Sequence, residues 1–402
     1  MSTIRRPAGL VVTVAIGAAL VGPVPAWAEE DALTILAGTG RPGTTGDGGP
    51  ATAALLNHPA GVAVAADGTV YISDGGNHRV RAVATDGTIS TVAGTGRPGR
   101  PGTEVPDGTP GTDVDLLLPQ HLAVGPDGTL YIADPGLARV FALAPNGRMS
   151  VVAGTGRPGP PDDGGLARGT AFNQIGGLAV GPDNTVYVGD LGGHRVRAVT
   201  PDNRVRTVAG NGGTRLVAAG GAATSVPVPN PASLAVDRQG TLWIASGLVV
   251  HRVSNGQIST VILPDQPGGD RWALSESPSW PPSEPPMNNV PAVSVAGGDV
   301  YVLDQSARAV LRLGDGDALE RVASLDSATG PLTGPITVTA SGVGYLVDNA
   351  DHRVYSFRLA PPTAADPGPG STPWWPLAAA AVAFVVLAGG GFLVRVLRRR
   401  AR

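Results

Sequence analysis

The feature that most constrains the fold of this chain is a seven-residue stretch, Ala-Gly-Thr-Gly-Arg-Pro-Gly, that occurs three times. Its copies begin at Ala37, Ala93 and Ala153, and weaker copies begin at Ala209, Ile262 and Ala323. Successive starting points are separated by 56, 60, 56, 53 and 61 residues. A period of this size indicates a repeat architecture, in which each repeat is one supersecondary unit that packs against its neighbours.

Each unit contains four short apolar runs joined by tight turns. In the first unit the runs are Gly61–Val64, Val70–Ser73, Arg79–Val83 and Ile89–Ala93. Asp-Gly pairs, the strongest local signal for a β-hairpin, lie between the first two runs and between the last two. The 59 glycines and 38 prolines of the chain also favour short strands over helices. Four antiparallel strands repeated around an axis predict an all-β fold, a β-propeller with four strands per blade.

The ends of the repeat region predict the number of blades and the closure of the ring. Inner sets of three strands begin near six positions: Gly61, His121, Gly177, Ser233, Ala292 and Pro335. The last set has no fourth strand after it, whereas residues 33–38 form a fourth-strand segment with no inner set before it. Pairing this segment with the last blade covers an edge that an open array would expose. We therefore expect a six-bladed propeller over residues 29–359, closed by the strand 33–38.

The repeated Gly-Thr-Gly-Arg-Pro-Gly also matches the G-x-G-x-x-G fingerprint of dinucleotide-binding loops. That fingerprint requires a strand before it and a helix directly after it, within a βαβ unit. Here a loop rich in glycine and proline follows, and the next element is another strand. The stretch is therefore interpreted as the sharp exit from the outer strand of each blade, a place that suits glycine and proline. No cofactor is predicted.

Two segments of the first unit resemble a known repeat. They are Val70-Tyr-Ile-Ser-Asp-Gly-Gly-Asn-His-Arg-Val-Arg-Ala-Val83 and the loop Gly46-Asp-Gly-Gly-Pro-Ala-Thr-Ala-Ala-Leu-Leu-Asn-His-Pro-Ala-Gly-Val62. Both are similar to the NHL repeat, in the version found in bacterial NHL proteins and teneurin-like propellers. The resemblance is strong in units one to three, fair in unit six and degraded in units four and five. It implies the propeller fold and a binding platform, but no single activity.

Both ends of the chain carry membrane signals. Arg5 and Arg6 precede a short apolar run that ends in an A-x-A-like cleavage site, Ala26–Ala28. Near the C-terminus, an uncharged apolar run is followed by five arginines, which orients the C-terminus toward the cytoplasm. We therefore predict a cell-membrane protein with its propeller outside. Its predicted segments are a signal peptide (1–28), a Pro-rich stalk (360–375), a single transmembrane helix (376–394) and an Arg-rich cytoplasmic tail (395–402).

Charge and cysteine content exclude several classes of function. The chain has 32 acidic and 29 basic residues, and all of the basic residues are arginine. Seven arginines lie in the predicted signal peptide and tail, so the exported part has 22 arginines and a net charge of about −10. Nucleic acid is therefore not an expected partner. The chain has no cysteine, which excludes disulfides and thiolate metal sites.

Propeller topology divides the loops between two faces. The short turns inside the first and last hairpins of each blade lie on one face, which we name the tight-turn face. The turns between second and third strands and the blade-to-blade connections lie on the other, which we name the long-loop face. Because loops on a rigid scaffold often carry recognition, we predict that the long-loop face binds a ligand. The connections are residues 40–59, 96–119, 156–175, 212–231 and 263–291.

Five residues of the long-loop face are candidates for ligand binding. Trp272 and Trp280 lie with Arg271 in the Pro-rich fifth connection, where exposed tryptophans are suited to anchor a partner. The alternative is that these tryptophans cover the channel mouth or a weak blade. His58 and His121 lie at the mouth of innermost strands. No metal site is predicted, because three or four ligands would have to converge on one ion.

An aspartate follows the second strand, and an arginine opens the third strand, in most units. The carboxylate can cap its own turn, and the guanidinium can bind it and nearby carbonyls. Recurrence in successive units favours a structural role over a ring of ligand-binding charges. The residues are Asp74, Arg79, Asp134, Arg139, Asp190, Arg195, Asp348 and Arg353, with Arg252 assigned to the arginine position of unit four. His78, His194, His251 and His352 precede such arginines and lie in different blades.

The sequence nominates no catalytic residue. The innermost strands alternate small residues with Val or Leu and present no acid–base pair. We expect an extracytoplasmic, membrane-anchored propeller that binds a protein or glycan through its long-loop face. Two alternatives stay open: a metal-dependent lyase or lactonase-type propeller enzyme, and a purely structural spacer at the cell envelope.

Overall fold

A computed structural model describes residues 33–159, 163–215, 220–247, 249–262, 292–305, 308–314, 319–326 and 334–360 of the chain. The predicted signal peptide, transmembrane helix and cytoplasmic tail lie outside these ranges, as does the stalk beyond Ala360. Across the described ranges, none of the helices has the length and apolar character needed to cross a membrane.

The described chain forms six antiparallel sheets. The strands through blade 2 are β1 (Thr34–Ala37), β2 (Pro59–Val64), β3 (Val70–Asp74), β4 (Arg79–Val83), β5 (Ile89–Ala93), β6 (Thr109–Pro110), β7 (Leu122–Val124), β8 (Leu130–Asp134), β9 (Arg139–Leu143) and β10 (Arg148–Ala153). Those of blades 3 and 4 are β11 (Ile175–Val180), β12 (Val186–Asp190), β13 (Arg195–Val199), β14 (Val205–Ala209), β15 (Gly220–Ala222), β16 (Pro231–Val236), β17 (Leu242–Ser246), β18 (Val249–Ser254) and β19 (Gln257–Ile262). Those of blades 5 and 6 are β20 (Ala292–Ala296), β21 (Asp299–Asp304), β22 (Ala309–Leu313), β23 (Leu319–Ser324), β24 (Ile336–Val338), β25 (Val343–Asp348) and β26 (Arg353–Arg358).

The sheets are arranged as the blades of a closed ring. Within blade 1 the order from the centre outward is β2-β3-β4-β5, and the other blades repeat it. The six innermost strands (β2, β7, β11, β16, β20 and β24) each contact the next, and β24 contacts β2. The prediction of an all-β, six-bladed propeller is therefore confirmed.

The ring is closed by the N-terminal strand. β1 pairs antiparallel with β26, with Thr34 opposite Ser356 and Ile35 opposite Tyr355. It is the outermost strand of blade 6, whose order is β1-β26-β25-β24. The predicted closure by residues 33–38 is confirmed, and it joins the two ends of the propeller by backbone hydrogen bonds.

The prediction of four strands in every blade is wrong for blades 2 and 4, which have five. The added strands are short segments of the preceding connections: β6 pairs with β10, and β15 pairs with β19. Their sequences, Thr-Pro and Gly-Gly-Ala, have no apolar alternation that would identify them as strands. They cover outer edges that would otherwise offer unpaired backbone groups.

The hydrophobic core lies between neighbouring blades. Between blades 1 and 2, for example, Val80 packs in one cluster with Phe141 and Met149, and none of the three is exposed. Leu116, from the connection that joins these blades, is buried in the same cluster. Complete burial of such a side chain contributes about 1.5–3 kcal/mol. The connections are therefore part of the core.

Short 3₁₀ turns occur at two recurring places. In the connections they are Ala51–Ala53, Gly111–Asp113, Ala167–Gly169 and Ala223–Ser225, and between second and third strands they are Gly75–Asn77 and Pro135–Leu137. Each connection turn begins with a fully or nearly fully buried small residue. These turns let the connection fold back toward the ring.

Candidate functional site: the long-loop face

The turn between the second and third strands ends in a left-handed residue. That residue has φ of 56° in His78, 48° in Ala138, 51° in His194 and 51° in His352. Its side chain reaches the neighbouring connection in three blades: His78 Nδ1 lies 2.5 Å from the Leu117 carbonyl oxygen, and the backbone N–H groups of Asn230 and His58 donate to His194 and His352. These histidines lie in different blades and contact different connections.

The recurring aspartates are buried and hold the connections in place. Asp134 accepts backbone N–H bonds from Leu117 at 2.8 Å, Leu118 at 3.0 Å and Leu137 at 3.0 Å. Burial raises the pKa of Asp134 above its ordinary value, although these N–H donors oppose the rise. Its oxygens are thus used by the connection and by its own turn. The equivalent residues, Asp74, Asp190 and Asp348, are also fully buried.

The arginine that opens the third strand binds the exit of the outer strand. Arg79 Nη2 donates to the Thr95 carbonyl at 3.2 Å, and Arg195 and Arg353 make the same bond to Asn211 and Thr39. Arg139 donates instead to the Thr103 carbonyl. Among the described residues these guanidinium groups make no ion pair with the recurring aspartates Asp74, Asp134, Asp190 and Asp348, and Arg353 pairs instead with Asp351. The predicted binding of carbonyls is observed, and the predicted binding of the carboxylate is not.

Both glycines of each Gly-Thr-Gly have a positive φ and lie against the neighbouring turn or its arginine. A Cβ on Gly94, which has φ +91°, would lie 2.2 Å from the His78 carbonyl oxygen. A Cβ on Gly96 would lie 2.6 Å from Arg79 Nη2. The same approaches recur after the other outer strands of this type, at Gly38, Gly40, Gly154, Gly156, Gly210 and Gly212. The repeated stretch is therefore the packing surface for the neighbouring turn and its arginine.

Propeller topology had predicted that the connections lie on the long-loop face, but they do not stay there. The first one begins and ends there, but its middle crosses to the tight-turn end of the next blade. Gly48 N–H donates to the Ile89 carbonyl at 2.8 Å, and Ala51 N–H donates to the Gly87 carbonyl at 2.9 Å. The other three described connections make the same contact through Gly108, Gly164 and Ala223. Of the described connections, therefore, only the two ends lie on the long-loop face, beside the turns between second and third strands.

Two ion pairs along this path, each between a buried arginine and a partly exposed aspartate, were not predicted from the sequence. Arg81, in the middle of β4, is fully buried, and its Nη2 lies 2.6 Å from Asp47 of the crossing connection. Its Nη1 lies 3.5 Å from the buried Asp74. In blade 3, Arg197 and Asp163 form the equivalent pair at 2.9 Å. The signal was the recurrence of Arg-Val-Arg-Ala-Val in the two blades whose connections carry Asp-Gly-Gly.

The assignment of Arg252 to the arginine position of unit four is wrong, because the third strand of that blade pairs in a different register from the one predicted. Asp74 pairs with Arg79 across a four-residue turn, but Ser246 pairs with Val249 across a turn two residues shorter. His251 therefore takes the position of Arg81, and Arg252 is exposed. His251 is fully buried, with Nδ1 3.0 Å from Thr260 Oγ1. Burial lowers the pKa of His251 from 6.5 to about 4.

The candidate histidines have different surroundings. His58 is exposed, with φ 47°, and its ring lies edge-on to that of His352 with centroids 4.8 Å apart. Its Nδ1 lies 3.0 Å from Asn349 Oδ1. His121 directly precedes β7 and keeps some contact with solvent, yet the surrounding protein lowers its pKa from 6.5 to about 4. Trp272, Trp280 and Arg271 lie outside the described residues.

The acidic and histidine side chains do not gather into a metal cluster in the described ranges. No group of three or more is placed there to hold a metal ion. Asp163 is followed by two glycines. Its carboxylate accepts hydrogen bonds from the backbone N–H and the hydroxyl of Thr207, and it forms an ion pair with Arg197.

Comparison with known proteins supports the repeat identity. Residues 35–101 match the sequence model of the Teneurin NHL domain. Teneurin-m of Drosophila melanogaster is 32% identical over 177 residues, covering 41% of this chain and 6% of that protein. Teneurin-1 of Mus musculus is 28% identical over 229 residues, covering 50% of this chain and 8% of that protein. This chain therefore spans only a small part of the length of these relatives.

The fold is shared with solved structures of low identity. A structural genomics protein of unknown function from Bacteroides thetaiotaomicron is 14% identical, with a TM-score of 0.52, covering 81% of this chain and 75% of that one. At this identity the likeness concerns the fold alone. Together the findings confirm the predicted resemblance: the chain is a six-bladed propeller with teneurin-like NHL sequence and is a distant homologue of the teneurins.

Proposed function

We propose that this teneurin-like NHL propeller is an extracytoplasmic, membrane-anchored module that binds a protein or a glycan through its long-loop face. The membrane anchor is the apolar segment 376–394, and the stalk 360–375 holds the propeller away from the bilayer. The support for this location comes from the amino-acid sequences of the proposed signal peptide and membrane anchor.

The observation that carries the proposal is the way the ends of each connection are fixed. Buried aspartates such as Asp134 bind the backbone at the C-terminal end of a connection, just before the innermost strand. Arginines such as Arg79 bind the backbone at its N-terminal end, just after the outer strand. Backbone held in this way loses little entropy when a partner binds. Recognition loops on a rigid scaffold are the usual arrangement in binding modules. His58, His121, Arg271, Trp272 and Trp280 remain our candidate contact residues.

The absence of cysteine from the chain allows a direct test of which face binds. Pro98→Cys places one thiol on the exposed end of the second connection, and Asp86→Cys places one on the tight-turn face. Both full-length variants are labelled with a maleimide photocross-linker and illuminated on intact cells. We expect cross-linked partners from Pro98→Cys and not from Asp86→Cys. Equal cross-linking from both, or from Asp86→Cys alone, would contradict the proposal.

The fifth connection and the enzymatic alternative are tested separately. A variant lacking residues 271–286 should lose or weaken the cross-linked partner if the two tryptophans anchor it; an unchanged partner removes that loop from the site.

Metal analysis of the purified chain addresses the lyase or lactonase alternative. Stoichiometric zinc or calcium that disappears in His121→Ala would favour the enzyme over the binding module.

A further inference from the structure

The long-loop face carries three exposed arginines whose side chains make few contacts with the rest of the fold. Arg41, Arg97 and Arg157 occupy the same position of the repeated stretch in three successive connections, and all three are exposed. The Arg97 side chain is 77% exposed, and its contact with Asp115, at 3.4 Å, is long. Across the described residues, the guanidinium groups of Arg41 and Arg157 have no hydrogen bond or ion pair. The fold therefore does not explain three arginines at this position.

The backbone around each of these arginines is fixed on both sides. A threonine hydroxyl two residues earlier accepts the arginine N–H at 3.3 Å in Arg41, 3.0 Å in Arg97 and 3.3 Å in Arg157. The glycine two residues later donates its N–H to a backbone carbonyl in the returning segment of the same connection at 3.2, 2.9 and 3.3 Å. Each guanidinium thus projects from an ordered loop, so little backbone entropy is lost when it binds an anion.

Charge is distributed unevenly between the two faces. The recurring aspartates of the long-loop face are buried and bonded to N–H groups, whereas Arg100 and Arg215 add exposed positive charge. Of the remaining acids near the described connection ends, Asp351 pairs with Arg353, Asp115 makes only the long contact with Arg97, and Glu104 and Asp326 are exposed. Exposed aspartates are concentrated on the tight-turn face, at Asp67, Asp86 and Asp127. At the connection ends that the structure describes, exposed arginines therefore outnumber exposed acids, although the exported part as a whole is negative.

We propose that Arg41, Arg97 and Arg157 bind a linear polysaccharide that carries carboxylate or phosphate groups. The proposal rests on the long-loop face being the binding face and names the chemistry of its partner. Arginine forks bind both anions in bidentate geometry. One arginine in each of three successive blades suits a polymer with repeated charges, because each further contact is made at high effective concentration.

An acidic protein is the less favoured partner of these three arginines because the described part of the face around them has no apolar centre. Protein interfaces have cores enriched in aromatic residues and depleted of charge. In the described ranges no Phe, Tyr or Trp side chain is exposed, and Leu118 is the large exposed apolar residue at a connection end on this face. A charged, spread-out surface of this kind fits a hydrated polyanion.

The test compares two sets of charge-removing substitutions in the full-length chain in detergent. One variant carries Arg41→Gln, Arg97→Gln and Arg157→Gln. The matched control carries Arg148→Gln, Arg206→Gln and Arg238→Gln, which remove three exposed arginines from the tight-turn end of the ring. The probes are alginate, which carries carboxylates, and a poly(glycerol phosphate) teichoic acid, with neutral dextran as the blank.

We expect the unmodified chain to bind at least one charged polymer, and not dextran, with an affinity that falls as salt is raised. The long-loop triple variant should lose at least tenfold in affinity and the control less than twofold. Equal loss in both variants, or no binding of either polymer by the unmodified chain, overturns the proposal. If Pro98→Cys still cross-links a partner in that case, the face binds something else, such as an acidic protein, and the proposed function stands without this partner.

Discussion

The two faces of the ring use the same residue type, aspartate, in opposite ways. On the tight-turn face, Asp67 is exposed and accepts the N–H of Thr69, two residues later, at 2.9 Å. That bond lowers the pKa of Asp67 below its ordinary value. On the long-loop face, Asp74 is fully buried and accepts the N–H of Asn57, seventeen residues earlier, at 2.7 Å. Burial raises the pKa of Asp74.

This difference shows that the aspartates make local hydrogen bonds on the tight-turn face and tertiary ones on the long-loop face. The aspartate of each tight turn bonds within five residues of chain, as short-range turn chemistry favours. The long-loop face exists only when a connection, a turn and an outer strand from adjacent blades meet. Identical substitutions on the two faces should therefore have different costs, and the four predictions below test that difference from the largest effect to the smallest.

The largest effect is expected where a connection ties the two faces together. Arg81→Ala removes a buried guanidinium and leaves Asp74 without its cation, so we expect the free energy of unfolding to fall by about 3–5 kcal/mol. Arg206→Ala, at an exposed position, should change it by less than about 0.5 kcal/mol. Urea denaturation measures both. A double-mutant cycle of Arg81→Met and Asp47→Asn should show coupling, and strict additivity would contradict the ion pair.

The second prediction makes the same substitution on each face. Asp134→Asn puts an amide against three backbone N–H donors in a buried site, and we expect a loss of about 3 kcal/mol. Asp127→Asn keeps an oxygen that accepts the Thr129 N–H at an exposed turn, so its cost should stay below about 0.5 kcal/mol. Thermal and urea unfolding of the two variants compare them directly. Similar costs at both positions would mean that the faces do not differ in the proposed way.

The third prediction concerns the blade that has histidine where blades 1 and 3 have buried arginine. The folded-state pKa of His251, about 4, is below the value of 6.5 in the unfolded chain. The unfolded state therefore binds more protons between these pH values, and stability is lost as the pH falls from 6.5 toward 4. At pH 4.5 this loss is about 2–3 kcal/mol. His251→Leu should lose that much less stability than the unmodified chain between pH 7 and 4.5; equal losses would show that His251 is protonated in the folded state.

The smallest expected effect compares two glycines with similar backbone angles. Gly87, on the tight-turn face, has φ +84°, and an added Cβ there would meet only open space, so Gly87→Ala should cost about 1 kcal/mol for the backbone alone. Gly94 has φ +91° and faces the His78 carbonyl, so Gly94→Ala should cost about 1–2 kcal/mol more. Chemical denaturation resolves this difference. Equal costs would remove the packing explanation of the repeated stretch.

The architecture could be predicted from the sequence because its signals are local and repeated. Asp-Gly turns, apolar runs and a regular period predicted the strands, the six blades and the closure by β1. The fifth strands were missed because β6 and β15 are held by the neighbouring strand and not by any pattern of their own. Arg252 was misplaced because a turn two residues shorter moved the third strand of blade 4 in register.

The site was harder to predict because its contacts join residues far apart in sequence. Asp47 and Arg81 lie in different elements, and only the crossing path of the connection brings them together. The glycines of the repeated stretch were correctly assigned to a structural role, but the reason, a neighbouring turn and its arginine, depends on the folded ring. The roles of Trp272, Trp280 and Arg271 stay predictions.

The pairing of β1 with β26 has a consequence for synthesis. Thr34 leaves the ribosome more than three hundred residues before Ser356, its partner in the sheet. β1 must therefore wait, unpaired, while every blade is made, and the interface between the first and last blades stays open during that time. Contacts between such distant residues slow folding and lengthen the exposure of apolar surface. If the chain is exported, as we propose, the last step of maturation would follow translocation, when both ends are finally in the same compartment.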